Sequence, residues 1–216
     1  MIEHVWRSVK QCRELNDLLI ACDDEKVLKA AKGFGAKAVM TSPHHPSGSD
    51  RIAEAVSSLK FDIVVNIQGD EPFIEPQVID QLVTALKKDT NASVATVIKE
   101  IKTDAEINNP NVVKAVVDKN HYALYFSRSV IPFNRNAKRP TELKYFKHLG
   151  LYAYRKDFLM SYKDWSKSML ESAEQLEQLR ILEAGYKIKT IETDTESLAV
   201  DTPEDLARIV KLVENK

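Results

Sequence analysis

Two acidic residues, Asp70 and Asp201, stand where an open α/β protein does its chemistry. Asp70 follows the apolar run Phe61–Ile67 in the turn Gln68-Gly69-Asp70-Glu71-Pro72, and Asp201 follows Leu198-Ala199-Val200 just before Pro203. Ligands of such folds bind beyond the carboxyl ends of the strands, so both side chains are candidates for one site although they lie far apart in sequence. Paired carboxylates suit Mg²⁺, which takes one or two of them together with waters and substrate phosphates. A plainer reading is also open: Asp70 shapes a turn, and Asp201 or Thr202 caps a helix, both being places that Asp favours.

Further candidates are spread along the chain. Ser47-Gly48-Ser49-Asp50-Arg51 is a turn entering a helix, whose free backbone N–H groups and Arg51 guanidinium suit a phosphate or a nucleobase edge, or simply start a helix with a surface Arg. His44-His45 looks like a metal pair, but adjacent residues seldom face one ion, and a loop is the better reading. In Lys147-His148-Leu149-Gly150-Leu151-Tyr152, alternation places His148, Gly150 and Tyr152 on one strand face. The glycine marks either the close approach of a ligand or a strand bulge. Glu171, Glu174, Glu177 and Gln178 share one face of a predicted helix, either solvated or turned toward the hydroxyls of a sugar. Arg128 follows the predicted strand Tyr122–Ser127 and is a partner for a carboxylate or phosphate, or a surface charge.

Periodicity supplies the elements that must hold these groups. Ile2, Val5, Trp6, Val9 and Cys12 recur at helical spacing. Asp17–Cys22 reads as a strand, a helix runs through Val27, Leu28 and Ala31 until Gly33 and Gly35, and Ala36–Met40 is a second strand. Ser49 or Asp50 is expected to cap the helix of Ile52, Ala53, Val56 and Leu59. Phe61–Ile67 is the clearest buried strand, Pro76 opens a helix, and Ser93–Lys99 is again a strand. Val112–Asp118 and His121–Ser127 predict an antiparallel pair about the turn Asp118-Lys119-Asn120. Leu143–Arg155 is strand-like, helices are expected at Lys156–Asp164 and Ala173–Gly185, and Lys187–Glu192 precedes a helix opening at Thr202-Pro203. Alternating strands and helices predict an α/β fold: a mostly parallel sheet covered by helices on both faces, with an antiparallel insertion at roughly 110–155 in a single domain spanning 1–216.

Composition narrows the function classes. The 216 residues are 44% hydrophobic and 29% charged, with 31 Lys plus Arg against 32 Asp plus Glu. A near-neutral balance offers no global field for nucleic acid or an anionic membrane, so an anionic ligand needs a local site. No apolar stretch is long enough to span a bilayer, and the first residues do not read as a signal peptide. Cys12 and Cys22 make no disulfide framework. The expectation is a cytoplasmic protein.

Several stretches, in order, resemble the 3-deoxy-manno-octulosonate cytidylyltransferases, the CMP-Kdo synthetases: HPSGSDRIAEAV (45–56), VVNIQGDEPFI (64–74), NPNVVKAVVD (109–118), YALYFSRSVIP (122–132), KHLGLYAYR (147–155), LEQLRILEAGYKI (176–188) and VDTPEDL (200–206). VNIQGDEP and YFSRSVIP are specific, whereas DTPEDL is shared more widely among sugar nucleotidyltransferases. The resemblance implies a glycosyltransferase-A-like fold and a cytoplasmic, usually homodimeric enzyme. Its reaction would transfer CMP from CTP to the anomeric hydroxyl of Kdo, releasing pyrophosphate with Mg²⁺, for lipopolysaccharide synthesis. On the matched positions it implies Asp70 and Asp201 as catalytic metal ligands. It places Ser49, Arg51 and Gln68 at the nucleotide, and Arg128, His148, Tyr152, Glu177 and Gln178 around the sugar acid.

One feature departs from the family pattern. Family members begin with a strand and a glycine-rich turn whose Arg and Lys hold the triphosphate, and Met1 aligns inside the helix that follows. The expectation is therefore a start upstream of Met1 and weak activity from the chain as written. The alternatives are an inactive remnant that binds sugar or dimerises, and a cytidylyltransferase for a related sugar such as 8-amino-Kdo. No side chain stands out as a general base.

Overall fold

The computed structural model describes residues 1–45, 47–136, 143–195, 200 and 207. Along the chain run α1 (Ile2–Val9), β1 (Leu19–Cys22), α2 (Glu25–Gly33), β2 (Lys37–Met40), α3 (Gly48–Val56), β3 (Ile63–Asn66), α4 (Pro76–Lys88), β4 (Val94–Glu100), α5 (Asp104–Asn108), β5 (Lys114–Val117), β6 (Ala123–Ser127), β7 (Phe146–Arg155), α6 (Lys156–Tyr162), α7 (Met169–Glu174), α8 (Gln178–Glu183) and β8 (Ile188–Glu192). They gather into two compact units. The first comprises Met1–Ala55, Ile67–Asp80 and Thr195–Lys216, and the second comprises Val56–Asn66 and Gln81–Asp194.

In the first unit β1 and β2 pair in parallel, Leu19 opposite Lys37 and Cys22 opposite Met40. The connecting helix α2 starts on Asp24, whose carboxylate accepts from the Lys26 N–H, and the chain leaves it through Gly35 at φ 82°. That left-handed turn suits glycine, which has no Cβ to clash. Ile20, Ala31 and Ala36 form the buried centre, with Ile2, Trp6 and Phe34 packed against it. The Asp80 carboxylate accepts the Arg13 N–H at 3.0 Å and the Glu14 N–H at 2.9 Å, tying down the chain beyond α1. Ser47, rather than Ser49 or Asp50, takes the cap of α3. Its hydroxyl accepts from the Asp50 N–H at 3.3 Å and donates to the Asp50 carboxylate at 2.6 Å, because the helix begins earlier than expected, at Gly48.

The second unit is built on a six-stranded sheet ordered β6-β5-β7-β4-β8, with β3 also on β7. The sheet is mixed, which corrects the expectation of a mostly parallel one. β4 pairs with β8 in parallel, whereas β7 runs antiparallel to β3, β4 and β5. The helix between β3 and β4 does give them one direction, as expected of a crossover. They are not neighbours, because the ten-residue β7 lies between them. Val94 to Ile98 of β4 are wholly buried, so both faces of this strand are covered. Ile79, Leu82, Val83 and Leu86 of α4 are buried as well. The insertion behaves as predicted, with β5 and β6 antiparallel about a turn in which Asp118 accepts the N–H groups of Asn120 and Tyr122, each at 2.8 Å.

Two further differences concern helices. The short helix α5 was not foreshadowed by any periodicity. The helix expected over 173–185 is two pieces, because Gln175 adopts the left-handed conformation at φ 54° and ends α7. The helix expected beyond Pro203 lies outside the described residues.

Candidate functional site

The first unit carries Ser49, Arg51, Gln68 and Asp70. Ser49 is buried in the first turn of α3. Arg51, one turn in, reaches back over the strand ends: it donates to the Thr41 hydroxyl at 2.9 Å and to the Asp23 carboxylate at 2.6 Å. Asp23 follows β1 and Thr41 follows β2, so Arg51 is held at the carboxyl ends of both strands. Gln68 is exposed and Asp70 half-buried in the turn after β3. No side-chain or backbone donor among the described residues is bonded to the Asp70 carboxylate, whereas its carbonyl accepts the Val200 N–H at 3.0 Å. Val200 is one peptide before Asp201, which lies outside the described residues.

The second unit carries the other five. His148 and Tyr152 are four residues apart on β7, about 13 Å along a regular strand. Their ring centroids are nevertheless 5.3 Å apart. The cause is a bulge: Thr96 of β4 faces Tyr152 and Val97 faces Leu149, so Gly150 and Leu151 have no partner on that side. On the opposite edge β7 changes neighbours at the same place, from β5 at Phe146 and Lys147 to β3 from Tyr152 onward. Of the two readings of Gly150, the bulge is present. A Cβ built on this glycine would meet nothing within 4 Å, so neighbouring protein atoms do not demand its absence.

Around this bulge Thr96, Tyr152 and Tyr154 are buried, His148 is half-buried, and the groups are mostly neutral. The His148 ring lies 2.8 Å from the Thr96 hydroxyl through Nε2 and edge-on to Phe126, 5.0 Å between centroids. Burial pushes its pKa down to about 3, so it is a neutral hydrogen-bonding group at physiological pH. Burial first, then the Tyr154, Glu177 and Tyr162 side chains, hold the Tyr152 phenol well above its usual range. Tyr152 therefore stays protonated and able to donate.

The acidic stripe does not form one face, because the helix breaks at Gln175. Glu171 instead pairs with Arg180 through two bonds of 2.7 Å, and Glu174 accepts from the Ser127 hydroxyl at 2.6 Å and the Arg128 N–H at 2.9 Å. Arg128 returns a bond from Nε to the Glu174 carbonyl at 2.8 Å and one to the Pro110 carbonyl at 3.2 Å. Glu177 precedes α8 without a side-chain bond to its first turn, and its carbonyl accepts the Tyr162 hydroxyl at 3.1 Å. Gln178 is buried, and its Nε2 finds no acceptor among the described residues. A buried amide donor of this kind is costly until a partner reaches it.

Two residues escaped the sequence reading. Lys114, wholly buried in β5, donates to the carbonyls of Asn109 at 2.9 Å and Val112 at 2.8 Å and to that of Arg128, fixing the peptide from which Arg128 projects. Thr96, wholly buried in β4, contacts His148. Each is the single polar residue in an apolar run (VVKAVV and VATVI), the signal by which both could have been singled out. His45 meets the Glu54 carboxylate and forms no metal pair with His44. Among the described residues no group of His, Cys, Asp and Glu gathers as a metal cage, and no helix is long and apolar enough to cross a membrane.

Residues 1–191 match the family model described as cytidylyltransferase. The 3-deoxy-manno-octulosonate cytidylyltransferase of Solibacter usitatus is 49% identical over 212 residues, 98% of this chain and 83% of the relative. That of Syntrophus aciditrophicus is 46% identical over 212 residues, 97% of this chain and 85% of the relative. Among solved structures, a CMP:2-keto-3-deoxy-manno-octonic acid synthetase complexed with CTP matches 99% of this chain and 87% of its own, with a TM-score of 0.93 at 41% identity. The 4-diphosphocytidyl-2C-methyl-D-erythritol synthase of Anaerococcus prevotii, 15% identical, matches 99% of this chain and 85% of its own with a TM-score of 0.63, a likeness of fold alone.

Proposed function

The chain belongs to the 3-deoxy-manno-octulosonate cytidylyltransferases, and from that premise we propose which of its residues carry the reaction. The activity is transfer of CMP from CTP to the sugar acid Kdo, forming CMP-Kdo for lipopolysaccharide synthesis. The observation that carries the assignment is identity approaching one half across 98% of the chain, a span that takes in both the Asp70 turn and the His148–Tyr152 bulge.

The nucleotide falls to the first unit. Arg51, already anchored by Asp23 and Thr41, presents a guanidinium that keeps unused N–H donors for the cytosine or a phosphate. Ser49 lies in the same helical turn, and Gln68 precedes Asp70 by two residues. The Asp70 carboxylate, unbonded among the described residues, fits a hard divalent cation. The Val200–Asp70 hydrogen bond supports Asp201 as its companion. Magnesium held by Asp70 and Asp201 would supply neutralisation of the triphosphate charge.

The sugar acid falls to the second unit. Tyr152 and Gln178 offer neutral donors, His148 a neutral ring and Arg128 a cation for the carboxylate, matching a ligand with several hydroxyls and one acid. Room above Gly150 suits a ring lying against the strand. The anomeric oxygen attacks the α-phosphorus in line, the bond to the β-phosphate oxygen breaks, and pyrophosphate leaves. Positioning and electrostatics suffice, with no covalent enzyme intermediate. A cytoplasmic setting suits a CTP-dependent enzyme with free Cys12 and Cys22.

A pyrophosphate-release assay tests the proposal. Release must require CTP, Kdo and Mg²⁺ together. Equal release without Kdo, or Kdo-dependent release unaffected by chelation, overturns the substrate or the metal assignment respectively.

A further inference from the structure

Thr96 owns one hydroxyl proton, and three acceptors surround it. Oγ1 lies 2.8 Å from His148 Nε2, 2.9 Å from the Leu151 carbonyl and 3.4 Å from the Leu149 carbonyl. A hydroxyl donates once and accepts through its lone pairs. Leu151 lies in the bulge, unpaired with β4, and its carbonyl is placed to accept the proton that Thr96 brings. If the proton goes to Leu151, the oxygen accepts from His148, and His148 must carry its hydrogen on Nε2. The opposite tautomer would turn the hydroxyl toward Nε2 and take it from Leu151. It would also place an N–H on Nδ1, which no acceptor among the described residues meets. Only the Nε2–H form lets the one hydroxyl satisfy both His148 and the Leu151 carbonyl. It leaves Nδ1 as an open acceptor on a ring that stays neutral.

We infer that Thr96 is a positioning residue that locks His148 in its Nε2–H tautomer, so that Nδ1 receives a hydrogen bond from a hydroxyl of the sugar acid. This rests on the assignment of His148 to the sugar. The bulge and the threonine act together: the bulge folds the strand so that His148 meets Tyr152, and Thr96 closes the bulge by satisfying the carbonyl it exposes. A ring held on one nitrogen by a buried partner offers its other nitrogen at a fixed orientation, as in metal sites where a partner behind the histidine sets the tautomer. Specificity for a hydroxyl follows, because a sugar lacking that donor would forfeit the bond to Nδ1.

Imidazole ¹⁵N NMR on the full chain labelled at histidine tests this directly, with His148→Gln assigning the resonances of His148 among the five histidines. The expected spectrum shows a protonated Nε2 and a bare Nδ1 whose resonance moves when Kdo is added. Thr96→Val should mix the tautomers and raise KM for Kdo about tenfold, the scale of one lost hydrogen bond, with kcat changed much less. Thr96→Ser should restore both spectrum and KM. A wild-type His148 protonated on Nδ1 overturns the inference, whether or not Thr96→Val folds. An Nε2–H tautomer whose Nδ1 signal ignores saturating Kdo upholds the Thr96 lock and overturns the sugar assignment instead.

Discussion

The two units handle polar groups in opposite ways. In the first, the candidate residues sit at strand ends and helix starts, and Arg51 and Asp70 keep donors or acceptors to spare while partly open to water. In the second, the groups are buried or half-buried on strands and on α7, and many are held by partners within the unit: Lys114 with three carbonyls, Thr96 between His148 and Leu151, Glu174 with the Ser127 hydroxyl and the Arg128 N–H. The difference fits the ligands proposed for each unit. A triphosphate changes charge on each turnover and suits exposed ions with exchangeable partners. A polyhydroxylated acid is told from its isomers by fixed, neutral, buried donors and acceptors, where a missing hydroxyl is expensive.

That contrast can be broken most forcefully at the first unit. Asp70→Asn should lower Mg²⁺-dependent turnover by on the order of 10³-fold, the scale of removing an electrostatic stabiliser of a transition state. Thermal stability should stay near wild type, since no described group bonds the carboxylate. Turnover within a few-fold of wild type would take Asp70 out of the site.

At the second unit the largest effect should be on folding. Lys114→Met removes the buried donor shared by three part-buried carbonyls and should cost about 2–3 kcal/mol in urea unfolding. A variant as stable as wild type would show that those carbonyls find other partners and that the unit is not held by buried polar anchors. Gly150→Ala probes the same region from the open side. Nothing within 4 Å opposes the added methyl, so stability should be retained while KM for Kdo rises severalfold. An unchanged KM would mean that no ligand lies against the bulge.

A smaller effect concerns pH. His148 stays neutral in the folded chain down to about 3, whereas in the unfolded chain it takes up a proton near its ordinary value of about 6.5. The unfolded state therefore binds more protons between those limits, and stability falls as pH drops through that window. His148→Gln should show a shallower acid-side slope, and identical slopes would mean that His148 is already charged when folded.

How far the sequence foretold this depends on how local the signal is. The segments 17–22, 61–67 and 93–99 read directly as strands, and β1, β3 and β4 lie within a residue or two of those bounds, while the helix between β3 and β4 set their common direction. Nothing local reveals that β7 slips between them, because that pairing links residues about ninety positions apart, Ile63 with Arg155. The motif around Gly150 marked the right segment, but the register shift falls opposite Thr96 and Val97, a pairing that appears only once β4 lies beside β7. The break at Gln175 was equally hidden: a left-handed glutamine is set by its surroundings, and it dissolved the acidic stripe into separate structural ties.

The claim that each ligand is read by its own unit is tested most directly by the pair of Michaelis constants, measured by pyrophosphate release for Arg51→Ala and Gln178→Leu. Arg51→Ala should raise KM for CTP at least about tenfold and leave KM for Kdo within about twofold, and Gln178→Leu should do the reverse. Both substitutions moving the same constant would contradict the account.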